Sequence, residues 1–150
     1  QGHRVLPRAR AAGVEEMVDE HPHRIGYVDT LNHLMHSSAV LVLGSTEPHY
    51  TPSKVFQAML SERPVFALLH RDSTAVGMIR SARVGEVLTL AEGELPPADS
   101  VATSLRKFIE RPDYEASSVD RNVFEGYSAR ESTRLFAEAL DRACARTART

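Results

Sequence analysis

Residues 39–69 read AVLVLGSTEPHYTPSKVFQAMLSERPVFALL, and this stretch decides the fold. It begins with the continuous apolar run Ala39–Leu43, which Gly44 ends, and it closes with a second apolar run, Val65–Leu69, after Pro64. A continuous apolar run is typical of a strand that is covered on both faces, and such strands occur mostly in parallel sheets. The stretch therefore predicts two neighbouring buried strands with a loop and a helix between them.

The connection between these two strands contains a long polar loop and then a helix. Ser53 and Lys54 open the helix, and its apolar residues fall on one helical face: Val55, Phe56, Met59 and Leu60. The loop Ser45–Pro52 follows the carboxyl end of the first strand, where open α/β sheets bind their ligands. The sequence therefore places a candidate site in this loop and at the start of this helix.

Helices and strands alternate on either side of the central stretch. Upstream, Pro7 suits the first turn of a helix whose apolar face continues to Val18. Ile25–Val28 predicts a strand, and Asp29 or Thr30 predicts the cap of the next helix. Downstream, the expected elements are a helix capped by Asp72 or Ser73, a strand at Val87–Leu90, a helix capped by Ser100 and a loop at Arg111–Tyr127.

The last element is a long helix that begins after Ser128, which forms a capping box with Glu131. Its apolar residues form a stripe: Leu135, Phe136, Ala139, Leu140 and Ala143. Strands and helices that alternate with short connections indicate the α/β class, with a mainly parallel sheet and right-handed crossovers.

Composition narrows the classes of function. The chain has 150 residues, 42% of them hydrophobic and 25% charged, which is ordinary for one globular domain. A formal net charge of −2 gives no basic field for nucleic acid or an acidic membrane, and no apolar run approaches the length of a membrane span. Cys144 is the single cysteine, so we expect no internal disulfide and a cytoplasmic location. Because the chain starts with Gln1, we interpret it as a fragment or a trimmed chain.

The first candidate site is an anion site at the start of the helix after Pro52. Free backbone amides and the helix dipole attract anions there, and Thr51, Ser53 and Lys54 add hydroxyl donors and a cation. Gln57, one turn further on, suits a ribose hydroxyl. The alternative interpretation is that Ser53 is only an N-cap and Lys54 only a solvated side chain.

Further candidates lie in the polar loop and after the next strand. The loop adds polar groups at Ser45, Thr46, Glu47, His49 and Tyr50, of which Glu47 and His49 suit polar contacts or acid–base roles. After Val65–Leu69, we expect the segment from His70 to Thr74 to lie beside the first loop, so that His70 or Ser73 contacts the same ligand. The alternatives are solvation of the loop residues and a strand-end histidine satisfied by the backbone.

Several common site types do not fit. The chain has no G-x-G-x-x-G and no G-x-x-x-x-G-K-[ST]. The pair Gly44-Ser45 lacks the flanking pattern of a hydrolase nucleophile elbow. The seven histidines are dispersed over different elements, so we expect no metal site.

The run Tyr50–Val65, YTPSKVFQAMLSERPV, resembles the donor-binding segment of glycosyltransferases with two Rossmann-like domains, the GT-B fold. More narrowly, it resembles the large retaining family of group 1 glycosyl transferases. That family shows a polar loop, a Ser-Lys or Gly-Leu pair, then Glu-Ala-Met, a small turn, and Pro-Val entering a strand. The resemblance covers most of residues 24–110, and the terminal helix fits the closing helix of the family.

The resemblance implies a Rossmann-like three-layer sandwich, the C-terminal, nucleotide-sugar half of a GT-B enzyme. It implies a single domain over residues 1–150, with a partial N-terminal element at 1–23 and a closing helix at 128–145. In the family, helix-start amides and nearby hydroxyls hold the donor diphosphate, and a helix glutamate grips the ribose. Carried over, the phosphate positions are Thr51, Ser53 and Lys54, and the ribose position is Gln57, where this sequence departs from the usual glutamate. His49 is a second departure, since many members have a glutamate there.

The implied function is transfer of a sugar from a nucleotide-diphosphate sugar to an acceptor, by an enzyme of which this chain is the donor-binding half. The implied partners are the nucleotide sugar and an N-terminal acceptor domain, with no metal or other cofactor, and no catalytic residue is assigned within the chain. Two alternatives stay open. One is a sugar-nucleotide epimerase of the same fold, for which Glu47 is the nearby carboxylate. The other is a degenerate Rossmann-like module with a role in protein association, including a homodimer of the isolated chain.

Overall fold

The computed structural model describes residues 4–48, 50–91, 93–110 and 114–147. In chain order, the elements are α1 (Leu6–Ala11), α2 (Tyr27–His36), β1 (Val40–Leu43), α3 (Val55–Leu60), β2 (Val65–His70), α4 (Thr74–Ala82), β3 (Gly85–Leu90), α5 (Ala98–Glu110), α6 (Asn122–Glu125) and α7 (Ala129–Thr147), with short 3₁₀ turns at Glu15–Met17 and Ala116–Ser118. Contacts divide the chain into two compact units, residues 1–33 and 34–150, and the boundary lies within α2.

One parallel sheet carries the second unit. The strand order is β1-β2-β3, with Val65 of β2 opposite Val40 on one side and Gly85 on the other. Helix α3 connects β1 to β2, and α4 connects β2 to β3. Since α3 and α4 contact one face of the sheet and α5 the other, the predicted α/β class, with a parallel sheet in a Rossmann-like arrangement, is confirmed.

The central strand β2 is buried from both sides. Val65, Ala67 and Leu69 have no exposed surface and belong to the same core cluster as residues of α3 and α4. Alternate side chains of a strand point to opposite faces. On the other face, Phe66 contacts Phe108 of α5, with ring centroids 5.3 Å apart. The continuous apolar run Val65–Leu69 therefore has the double coverage that the sequence predicts for it.

Close approach of β2 and β3 requires a glycine at the start of β3. Gly85 has a φ of 156°, and a Cβ built there would lie 1.9 Å from the carbonyl oxygen of Val65. The preceding Arg83 ends α4 in the left-handed conformation, with a φ of 56°. The chain therefore turns sharply between α4 and β3, and only a residue without a side chain fits directly beside Val65.

The expectation that β1 is covered on both faces is wrong. Val40 and Val42 are buried in the core, whereas Leu41 and Leu43 are 57% and 61% exposed. Leu41 pairs with Phe66, so it lies on the face that α5 covers further along the sheet. Because β1 is an edge strand of the described sheet, an apolar run there does not imply a neighbour on each face.

The predicted strand at Ile25–Val28 is also wrong, because Tyr27 and Val28 begin α2. The Thr30 amide donates to the carbonyl of Gly26 over 3.0 Å, and the Thr30 hydroxyl bonds the same oxygen. Local helical hydrogen bonds therefore replace sheet pairing here. As a result, Asp29 and Thr30 lie within the first turn of the helix and are not its cap.

Three other boundaries differ from the sequence expectation. Helix α1 ends at Ala11, and Gly13, with a φ of 70°, separates it from a 3₁₀ turn, so no continuous helix reaches Val18. Helix α5 begins at Ala98 and therefore contains Ser100, whose amide bonds the Pro97 carbonyl. The described part of the expected loop Arg111–Tyr127 contains a 3₁₀ turn and α6, and it packs on the core through Val119, Val123 and Phe124.

In the first unit, a distant carboxylate caps α1. Both oxygens of Glu20 accept hydrogen bonds from the amides of Arg4, Val5 and Leu6, at 2.7 to 3.0 Å. A negative charge at a helix start is favoured by the helix dipole. These hydrogen bonds hold Glu20 against the start of α1, 14 to 16 residues earlier in the chain.

The terminal helix α7 begins where the capping box predicts. The Glu131 amide donates to the Ser128 hydroxyl over 3.1 Å, but the Glu131 carboxylate pairs with Arg134 and does not bond back to Ser128. That hydrogen bond from Arg134 lowers the pKa of Glu131. The apolar stripe is exposed, with Leu135, Phe136 and Leu140 at 48%, 66% and 50%. Among the described residues, no helix combines the length and apolar character that a bilayer crossing requires.

The two faces of the sheet predict unequal effects of the same truncation. Leu69→Ala should lower the free energy of unfolding by about 2 to 5 kcal/mol, because it leaves a cavity in a fully buried position. Leu43→Ala, the control on the exposed side of β1, should change it by about 0.5 kcal/mol or less. Urea denaturation measures both, and equal losses would contradict the exposed face of β1.

Candidate functional site

The carboxyl ends of β1 and β2 bring the two predicted site segments to one edge of the sheet. β1 ends at Leu43 and β2 at His70, and the strands are parallel neighbours. The hydroxyl of Thr51, ahead of α3, lies 3.0 Å from the hydroxyl of Thr74, the first residue of α4. The loop before α3 and the start of α4 are therefore in direct contact, as the order of the strands predicts.

Hydrogen bonds to β2 and within the loop itself stabilise the loop that follows β1. The Gly44 amide donates to the Leu68 carbonyl over 2.9 Å, which extends the pairing of β1 and β2 by one residue. The Glu47 amide then donates to the Ser45 hydroxyl, and the Tyr50 amide to the Glu47 carbonyl. The candidate residues Ser45 and Thr46 are half-buried and Tyr50 is exposed. His49, also a candidate, lies outside the described residues.

At the start of α3, the polar side chains are exposed and the preceding proline is buried. Pro52 is buried, and its carbonyl accepts the Val55 amide at 3.0 Å. Ser53 and Lys54 are exposed, and Lys54 occupies the N-cap position without a side-chain cap bond. The alternative interpretation of Ser53 as the N-cap is therefore wrong. The Lys54 ammonium is left at the surface beside the first turn.

Gln57 is half-buried in the first turn of α3. Its Oε1 atom is buried and has no hydrogen-bond partner among the described residues. A buried acceptor without a donor is unfavourable by about 1 to 3 kcal/mol. The Gln57 side chain thus has a buried acceptor that no described residue uses.

His70, the last residue of β2, has one satisfied and one unsatisfied ring nitrogen. Its exposed fraction is 3%, and its Nδ1 accepts the Asp72 amide at 3.2 Å. An Nδ1 that accepts a hydrogen bond carries no proton, so this contact assigns the proton to Nε2. Nε2 is buried without a partner among the described residues. The backbone therefore satisfies only half of this side chain, and the remaining half is a donor.

Ser73 has the N-cap position of α4 but does not act as a cap. Its backbone is extended, with a φ of −65° and a ψ of 130°, as a cap residue requires, yet its hydroxyl makes no cap bond. The residue is 4% exposed, and Oγ is buried without a partner among the described residues. The Val76 amide donates to the Ser73 carbonyl, whereas Thr74 and Ala75 have first-turn amides that lack an acceptor within the helix.

The polar groups at this edge of the sheet are mostly hydrogen-bond donors. Within the described ranges, no group of three or more His, Cys, Asp or Glu side chains could hold a metal ion. The available groups are the His70 Nε2–H, the Ser73 hydroxyl, the amides at the start of α4 and, at the start of α3, the Lys54 ammonium. Donors of this kind bind an anionic oxygen ligand such as a phosphate or carboxylate.

Sequence reasoning missed a charged cluster at the other end of α3. Glu62 has a φ of 58°, and its carboxylate pairs with Arg121. Burial raises the pKa of the nearby Tyr114 phenol, and the charge of Glu62 raises it further. The cleft between them has a volume of about 30 Å³, which holds a water molecule but no sugar or nucleotide. Its partners are far apart in sequence, so no local motif indicates it.

Comparison of the chain with protein-family models, with curated proteins and with solved structures gave no match. The resemblance to group 1 glycosyl transferases therefore rests on the sequence motifs alone. The site is described by its own geometry, which is an edge of a parallel sheet with helix starts and unpartnered polar side chains.

Two buried serines should respond differently to loss of the hydroxyl. Ser73→Ala should leave the free energy of unfolding within about 0.5 kcal/mol of the unmodified chain, or raise it, because its Oγ has no described partner. Ser61→Ala is the matched control, since the Ser61 hydroxyl is also buried but donates to the Ala58 carbonyl at 2.6 Å. It should cost about 1 kcal/mol.

Thermal and urea unfolding measure both variants. A loss of more than about 1 kcal/mol in Ser73→Ala would show that its hydroxyl acts as an ordinary helix cap.

Proposed function

We propose that this chain is the nucleotide-sugar-binding domain of a glycosyltransferase that transfers a sugar from a nucleotide-diphosphate donor. One observation carries the proposal. In the described part of the chain, four side chains have a buried oxygen or nitrogen without a partner, and three of them are Gln57, His70 and Ser73, which the sequence assigns to the donor site. Natural proteins satisfy nearly all buried polar groups. Three of the four unpartnered groups thus belong to residues that the sequence places at the donor site on other grounds, which supports a ligand at this edge of the sheet.

The proposed chemistry is electrostatic. A departing nucleoside diphosphate gains negative charge, which cations and oriented amides at helix starts stabilise. Lys54 supplies the ammonium, and its exposure leaves it free to follow a mobile phosphate. Gln57 accepts or donates a hydrogen bond to the ribose without a charge. This scheme needs no divalent metal, and it assigns no residue of this chain to bond breaking.

The first turn of α3 and the loop before it should respond to a nucleoside diphosphate. With UDP and GDP as probes at millimolar concentration, we expect amide NMR shifts concentrated at residues 51–57. Lys54→Met should weaken binding by about tenfold, because hydrogen bonds to a charged group contribute about 1.5 to 3 kcal/mol. The control is Lys107→Met, which removes the other lysine of the chain.

Lys107 is exposed on α5. Shifts spread evenly over the surface, or equal losses in the two lysine variants, would contradict a site at α3. Absence of any shift at millimolar nucleotide would contradict the proposed function.

Protein association is a second candidate function, and the exposed face of α7 favours it. The helix has 19 residues and its apolar stripe is open to solvent. Ala139 and Ala143 separate the larger side chains of the stripe, and small residues let a second helix approach closely. A second copy of the chain presents the same stripe, so an isologous pair is the simplest assembly.

If α7 mediates self-association, the chain should form a dimer whose population rises with concentration in light scattering after size-exclusion chromatography. Phe136→Asp should then shift the chain to a monomer, because a charge in an apolar interface is unfavourable. Ile109→Asp is the control, since Ile109 on α5 is 70% exposed, close to the 66% of Phe136. A monomer at every concentration would contradict this second function.

A further inference from the structure

We infer that the apolar stripe of α7 in one molecule covers the exposed face of β1 in a second copy of the chain, and that the two copies exchange this contact reciprocally. The inference is independent of nucleotide binding. It rests on the association role and names the partner surface, which is the sheet of the second copy and not its α7. We define the β1 strip as Leu41, Leu43 and Leu68, which share one face of the sheet.

The β1 strip is an uncovered part of a sheet face that is buried further along. On this face, Phe108 of α5 contacts Phe66 of β2, whereas Leu41 and Leu43 remain 57% and 61% exposed. Sheets of α/β proteins are stable when helices cover the apolar residues of both faces. In the described part of the chain, the strip therefore has the apolar surface for a helix but no helix upon it.

Helix α7 has the complementary feature, which is an apolar stripe with no described surface to cover. The large side chains of its stripe are 48% to 66% exposed. The ion pairs of Arg134 with Glu131 and Glu138 lie on the other side of the helix, because positions two apart, such as 134 and 136, point in nearly opposite directions. Docking through the stripe therefore leaves these charges in water.

The two surfaces also match in spacing. Leu41 and Leu43 are two residues apart in a strand, so their side chains lie about 6.6 Å apart along it. Phe136 and Leu140 are four residues apart in a helix, which is about 6 Å along its axis. When α7 lies along β1, these two side chains of the helix therefore meet the two leucines of the strand in step.

Helix α7 cannot cover the strip of its own molecule. Tyr127, two residues before α7, contacts Phe56 of α3, with ring centroids 5.4 Å apart. Phe56 packs against the core cluster that α3 and α4 form with the sheet, on the face opposite Leu41. A straight helix that begins above one face of a sheet cannot lie along the other. The α7 on the strip therefore belongs to another molecule, and a second copy of the chain supplies the matching helix.

Reciprocal exchange doubles the buried area. The three large side chains of the stripe, each about half exposed or more, offer on the order of 300 Å², and the strip supplies a similar area. One contact then removes about 600 Å² from water, which is below the roughly 1,200 Å² at which stable interfaces begin. Two contacts related by a two-fold axis reach that size. We therefore expect a dimer that dissociates on dilution.

The first measurement is the mass of the full chain by light scattering after size-exclusion chromatography, over a series of concentrations. Leu41→Lys should weaken the dimer by about tenfold or more, because it places a charge in an apolar interface. Lysine suits an exposed edge strand, so the fold should remain intact, which far-UV circular dichroism checks. Leu60→Lys is the matched control, since Leu60 is 59% exposed but lies on α3, over the other face of the sheet. It should dimerise as the unmodified chain does.

The second measurement mixes two variants that lack different halves of the contact. Phe136→Asp disables the helix and Leu41→Lys disables the strip, so each variant alone should be monomeric. In a mixed pair, the intact α7 of the Leu41→Lys chain still covers the intact strip of the Phe136→Asp chain. We therefore expect association in the mixture and in neither component. It should need a higher concentration than the unmodified chain, because one of the two contacts remains.

The outcomes separate this inference from the proposed functions. If Leu41→Lys dimerises as the unmodified chain does, or if the mixture does not associate, the exchange is overturned and a pair of α7 helices stands. A mass that grows beyond a dimer would also overturn it, since the contacts would not close on a two-fold axis. An unmodified chain that is monomeric at every concentration overturns both the exchange and the association role, and it leaves the nucleotide-binding proposal unaffected.

Discussion

Burial of β2 on both faces is the constraint on which the rest of the structure depends. Val65, Ala67 and Leu69 face α3 and α4, and Phe66 faces α5. Successive side chains of a strand point to opposite faces of the sheet. A register slip of one residue would therefore turn Val65, Ala67 and Leu69 towards α5 and Phe66 towards α3 and α4. The resulting register places His70 at the end of the strand, and α4 begins four residues later. Core packing thereby positions the polar groups of the candidate site.

The sequence predicts an element well where one local cause decides it. Val65–Leu69 is a continuous apolar run because both faces are covered, and Ser128 begins α7 through a bond within four residues. The same reasoning fails at Ala39–Leu43, because an apolar run does not show whether a helix covers each face of an edge strand. It also fails at Ile25–Val28. No described strand pairs with this segment, and the amide of Thr30 bonds the Gly26 carbonyl as in a helix.

The candidate site was predictable only in outline. Strand ends and helix starts are local features, so the loop before α3 and the turn before α4 could both be found from sequence. Which polar atoms remain without partners depends on tertiary packing. Ser53 and Ser73 each stand just before a helix, yet Ser53 is exposed and Ser73 is buried. The pairing of Glu62 with Arg121 joins residues 59 positions apart and has no signal in either segment.

The contrast between the two helix starts has an energetic meaning. An exposed serine and lysine at α3 cost the fold almost nothing, because water satisfies them. Enclosed groups without partners, such as the Ser73 hydroxyl, each reduce stability by about 1 to 3 kcal/mol, and burial of the apolar core offsets this loss. A fold retains such a cost readily when a ligand recovers it on binding. The two helix starts therefore differ in what their polar groups cost the fold, although both follow a strand of the same sheet.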